Sequence, residues 1–145
     1  MTDDSLLPFD LPSVQRKKVS AAFDGGLISS DGGLVLLREA ERSLGLAETL
    51  AGCIRDRRNQ AQVVHSLSAM LRFRMLVIAC GYEDADDCDT LRTNPLFKVA
   101  AGQAPESGRD LCSQPTMSRL ENAPSRAEVA RMTAALVDLF CRSFG

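Results

Sequence analysis

The chain has 145 residues, 45% of them hydrophobic and 25% charged, with a formal net charge of -2. That length suits one domain with a core of its own, and the composition excludes a disordered or fibrous chain. The slightly negative charge excludes a protein held on nucleic acid by bulk electrostatics, so any such contact must be a local basic patch.

The five cysteines, Cys53, Cys80, Cys88, Cys112 and Cys141, are widely spaced, with no CxxC motif and only one histidine beside them. No zinc site follows from that pattern, and reduced thiols in a cytoplasmic protein are the simplest reading. The N-terminus lacks a basic-then-apolar leader pattern. The longest apolar run, Met75 to Cys80, is far too short to span a bilayer, so no membrane partner is expected.

In chain order, Met1 to Gln15 carries two prolines and no periodicity and reads as an extended arm. A helical domain is expected over 16–145. It starts with a small β-hairpin at about Val19 to Ile28 around Asp24-Gly25-Gly26, too small to stand alone. Ser30 or Asp31 then caps a helix of about Gly33 to Leu44 that ends at Gly45, with Leu36, Leu37, Ala40 and Leu44 inside and Arg38, Glu39, Glu41 and Arg42 in water. The glycine-rich turn before it lacks the lysine and spacing of a nucleotide site. A short helix from Leu46 to Ile54 leads into Arg55-Asp56-Arg57-Arg58. Arg55, Arg57 and Arg58 either grip a phosphate or form a solvated loop in which Asp56 pairs one of them.

The centre of the chain is a long apolar helix, expected from Gln62 to Cys80 with Asn59 and Gln62 at its start and Gly81 at its end. Val63, Val64, Leu67, Met70, Leu71, Met75, Val77 and Ile78 fill its apolar arc. Arg74 falls inside that arc and so needs a carboxylate. Glu83 and Asp84, at the head of the acidic run Glu83 to Asp89, are the expected partners, unless the fold brings in another acid. The acidic run fails the calcium-loop pattern, and Asp84 or Asp86 capping a short helix through Arg92 explains most of it without a metal.

Asn94-Pro95 restarts a helix that ends near Gly102, and Gly102 to Asp110 is a loop. In the next helix Ser113, Gln114, Thr116, Ser118, Arg119 and Asn122 crowd the first turns, which is a composition suited to DNA: amides read adenine, arginine reads guanine and hydroxyls hold phosphate. The preceding helix would brace it as in a helix-turn-helix. The other reading is a short amphipathic helix burying Met117 and Leu120. Ser125 and Glu128 form a capping box for a last helix whose Val129, Met132, Leu136 and Phe140 recur at helical spacing. The fold class is therefore mainly α, with five to seven helices.

Four strings in order, SSDGGLVLLREAERSLGL, RDRR, HSLSAMLRFRMLVIACGYEDADDCDTLRTNPLFK and LCSQPTMSRLEN, resemble the N-terminal region of bacterial insertion-sequence DDE transposases, of the branch typed by insertion sequence thirteen-eighty. The resemblance runs from about Phe23 to the end, departing at Asn94, where aspartate is usual, and at Cys112, where alanine is common. It implies an N-terminal fragment that helps bind the terminal inverted repeats of its element, with DNA and a full-length transposase as partners. The ribonuclease-H-like catalytic domain, its carboxylates and its Mg2+ lie beyond this chain in that reading, so no catalytic residue, metal ligand or cofactor is assigned here. The alternative is a stand-alone helical protein-interaction module without DNA binding.

Overall fold

The computed structural model describes residues 11–19, 21 and 30–144. Among these the chain is mainly helical, with seven α-helices: α1 (Leu34–Leu44), α2 (Leu46–Gly52), α3 (Leu67–Ala79), α4 (Asp87–Leu91), α5 (Pro95–Ala100), α6 (Gln114–Asn122) and α7 (Arg126–Arg142). Short 3-10 turns, Ser30–Gly33 and Gln60–Gln62, precede α1 and lie before α3. The expected hairpin at Val19 to Ile28 falls almost wholly outside the described residues. The only strand-like pairing among them is an isolated bridge between Val14 and Lys17. Val14 is 4% exposed, so the end of the expected arm is packed.

Local chemistry explains where most helices begin and end. Gly45 takes the left-handed conformation at φ 63° and donates its N–H to the Glu41 carbonyl, closing α1 and opening α2 in one residue. Gly81, at φ 92°, does the same work after α3, and Tyr82 N–H reaches back to the Val77 carbonyl at 3.1 Å. The Asn94 side chain accepts from the N–H groups of Leu96 and Phe97, with Pro95 opening α5. Ser125 and Glu128 form the reciprocal capping box of α7.

α3 is the centre, packing against α1, α2, α4 and α6, while α5 packs on α1 and α7 on α2. Phe73 on α3 meets Phe97 on α5 edge to face at 6.0 Å, and Tyr82 approaches Phe97 at 6.3 Å. Leu34, Met70, Val77, Cys88, Met117 and Leu120 close the same core.

Several expectations are corrected. The N-cap of α1 is Gly33, without a side-chain cap, in place of Ser30 or Asp31. The buried face of α1 is also turned: Leu34, Val35 and Glu41 are inside, while Leu37 and Leu44 are exposed. Glu41 tolerates this because Arg72 reaches it at 2.6 Å and Ala47 N–H at 2.9 Å. α3 starts at Leu67 under a Ser66 cap, not at Gln62, and Asn59 caps only the 3-10 turn. Val64 and Ile78, placed in the core by periodicity, are 59% and 49% exposed. Val129, Leu136 and Phe140 on α7 are likewise exposed.

Candidate nucleic-acid interface

α6 is held from beneath by Met117 and Leu120, both buried in the main core. Helical spacing then turns Pro115, Arg119 and Asn122 outward, and all three are exposed. The amphipathic reading of this helix is therefore right for its inner face, and it leaves the outer face free. Arg119 makes no ion pair or hydrogen bond among the described residues. The helix is supported by α3 and α4, whereas α5, the expected helix-turn-helix brace, packs on α1. The long loop after α5 explains the difference, since it carries the chain away before α6 starts.

The start of α6 is occupied from within. Asp89 Oδ1 accepts the Gln114 N–H at 2.8 Å, which puts a carboxylate at the positive end of the helix where a phosphate would otherwise sit. The hydroxyls of Ser113 and Thr116 bond to each other at 3.2 Å. Asn122 donates its side-chain N–H to the Ser118 carbonyl at 2.8 Å, leaving its amide oxygen as an acceptor. Of the residues singled out by sequence on α6, the side chains of Gln114, Ser118 and Arg119 thus stay uncommitted, with half of the Asn122 amide.

The arginines of the RDRR string divide in the same way. Arg58 grips Asp56 in a two-pronged pair, Nε to Oδ1 at 2.8 Å and Nη2 to Oδ2 at 2.6 Å, and donates to the His65 carbonyl. That guanidinium holds the Asp56 carboxyl well below the usual carboxylate range. Arg57 pairs with Glu128 at 3.1 Å, and the Arg55 N–H donates to the same carboxylate at 2.9 Å. Of these three arginines, Arg55 alone has an exposed guanidinium with no hydrogen bond or ion pair among the described residues. No hydrogen bond or ion pair joins this string to α6; Glu128 ties it to α7 instead.

Arg74 is mostly enclosed, its side chain 15% exposed, as its place on α3 requires. Its partner is Glu121 on α6, at 2.6 Å, and not the carboxylates of Glu83 or Asp84. Those two residues contribute their main-chain carbonyls, at 2.9 and 3.4 Å. The chain bends back after Gly81 so that carbonyls, rather than acidic side chains, face the guanidinium.

Beside α6, a cavity of about 550 Å³ lies between the start of α3 and the loop before α6, with His65, Ser66, Met70, Phe73, Arg109 and Cys112 in its wall. Burial lowers the His65 pKa, and the nearby guanidiniums of Arg109, Arg92 and Arg58 lower it further.

With this geometry in place, comparison with known families is decisive over nearly the whole chain: the model of the transposase DDE domain, group 1, matches residues 11–145. The chain belongs to that transposase family. No curated protein and no solved structure matches it.

The acidic run Glu83 to Asp89 serves the main chain in two places. Asp84 accepts the Asp86 N–H at 3.0 Å, and Asp89 holds the start of α6. Among the described residues no group of three or more His, Cys, Asp or Glu is arranged to hold a metal ion, and no helix is long and apolar enough to cross a membrane. In this transposase-family chain, sequence reasoning misses the carboxylates that tie separate elements together: Glu41, Glu121 and, beyond its capping role, Glu128. Their partners lie far along the chain, and no local signal marks them.

Proposed function

We infer that this chain is the N-terminal part of an insertion-sequence transposase, of the branch typed by insertion sequence thirteen-eighty, and helps bind the terminal inverted repeats of its element. The observation that carries this reading is Arg119, exposed and unpaired among the described residues, on the outer face of a helix whose inner face is locked into the core. Gln114, Ser118 and the Asn122 amide oxygen flank it with groups able to read base edges. Arg55 is a second exposed cation, on the segment that Glu128 ties to α7, while Ser113, Thr116, Arg57 and Arg58 are bonded within the protein and act in this reading by holding their segments in place. Family membership supports a DNA-related role in general. In this reading the protein works in the cytoplasm with a full-length transposase as partner, and no residue described here is assigned to Mg2+-dependent strand cleavage.

A second reading, a helical protein-interaction module without DNA binding, is favoured by α7. Val129, Val137 and Phe140 are 50%, 56% and 65% exposed there. Band-shift titration of the purified chain with duplexes carrying a related element's terminal repeats, against scrambled duplexes of equal length, separates the two. Preferential retardation of the repeats supports the first reading, and no retardation at low salt leaves the second.

A further inference from the structure

A smaller cavity, about 210 Å³, lies where α1 crosses the C-terminal end of α5, walled by Arg38, Glu41, Arg42, Arg72 and the 100–102 segment. It is several times the volume that a water molecule occupies in the liquid, about 30 Å³, and so has room for a tetrahedral anion. Two of its three guanidiniums are neutralised by the protein. Arg72 Nε meets Glu41 at 2.6 Å and its Nη2 meets Glu48 at 3.2 Å, while Arg42 Nε sits 3.1 Å from both Glu39 oxygens. Each oxygen of the Glu41 carboxylate is engaged once, by Arg72 and by the Ala47 N–H.

Arg38 is the exception. Its Nη1 is shut off from solvent and meets no acceptor of the protein among the described residues. A guanidinium N–H enclosed without an acceptor is costly, and a group left in that condition calls for a partner. We propose that this cavity is an oxyanion site in which Arg38, backed by Arg42 and Arg72, binds a phosphate group. Burial lowers the Arg38 pKa and the neighbouring Arg42 and Arg72 lower it further, against the Glu39 carboxylate, which raises it. The phosphate chemistry has two sources, the DNA backbone or a free phosphate. The first rests on the DNA-binding reading and the second does not.

The test uses the full chain with inorganic phosphate at fixed ionic strength against chloride, following the Arg38 guanidinium signal by NMR and the thermal midpoint. Saturable perturbation of Arg38, with a raised midpoint, is expected. Arg38→Met, checked for folding by circular dichroism, should weaken phosphate binding about tenfold or more, the factor that one charged hydrogen bond represents. An Arg38 signal indifferent to phosphate in the unaltered chain, or phosphate binding that survives in Arg38→Met, overturns the proposal. Duplex DNA forms the second arm. If phosphate competes with DNA and Arg38→Met lowers affinity for all sequences alike, the bound group is a backbone phosphate. If Arg38→Met loses phosphate but not DNA, the site takes the free anion. If the unaltered chain binds no DNA, the DNA reading falls and the phosphate arm alone decides this one.

Discussion

Arg74 on α3 and Glu121 on α6 meet at 2.6 Å, joining the central helix to the one that presents Arg119. The same guanidinium holds the Glu83 carbonyl at 2.9 Å, so it also fixes the turn between α3 and α4. Because Glu121 is 38% exposed, water offsets part of the interaction, and the pair is worth less than a dry one. Arg74→Met removes the pair and both carbonyl contacts and should destabilise the fold by about 1.5 to 3 kcal/mol, whereas Glu121→Gln should cost about 1 kcal/mol or less. Urea unfolding of the two variants measures the difference, and equal losses would mean the carbonyl contacts contribute nothing.

Glu128 makes stability depend on acid. The N–H groups of Arg55 and Ser125, the Ser125 hydroxyl and the Arg57 guanidinium draw its pKa down to about 2. A carboxylate with a depressed folded pKa stabilises the fold above its unfolded pKa, about 4.3, and that contribution fades as pH falls towards the folded value. Attachment of the 55–58 segment to α7 should therefore weaken between about pH 4.5 and pH 2 in the unaltered chain. In Glu128→Gln the attachment should already be weak at neutral pH and change little over that window. Amide exchange at Arg55, followed by NMR from mildly acidic pH downward, reports it.

The cysteines should separate by burial. Cys88 and Cys112 are buried, and burial pushes the Cys112 thiol up to about 12, so it carries almost no thiolate at neutral pH. Cys141 is exposed. Alkylation read by mass spectrometry should label Cys141 first and leave Cys88 and Cys112 untouched until the chain unfolds. Early labelling of Cys112 would contradict the packing of the core between α3 and α6.

What is legible in the sequence is mostly local. Asn94-Pro95, Ser125 with Glu128, Gly45 and Gly81 each act within a turn of themselves, and each stands where its chemistry puts it. Helix faces are harder, because a charged residue turns inward once a distant partner arrives. Glu41 is buried since Arg72, from another helix, reaches it, and that reverses the face of α1 which periodicity suggests. The stripe on α7 has the right spacing, yet spacing says only that apolar residues share a side, and here Val129 and Phe140 face out. At the site, composition points to α6, but not to Asp89 occupying its N-terminal end or to Glu121 tying it to Arg74, since both contacts bridge separate elements.

If the outer face of α6 meets DNA, Arg119 is the side chain whose loss should be felt first. Affinity for terminal-repeat duplex is measured across a salt series for the unaltered chain and Arg119→Ala. Arg119→Ala should lose about 1 to 3 kcal/mol of affinity, with preference relaxed at one base position if the contact is to a base edge. A backbone contact would weaken all sequences alike and reduce the salt slope by about one. Terminal-repeat binding by Arg119→Ala indistinguishable from the unaltered chain at every salt concentration would mean that this face of α6 does not meet DNA.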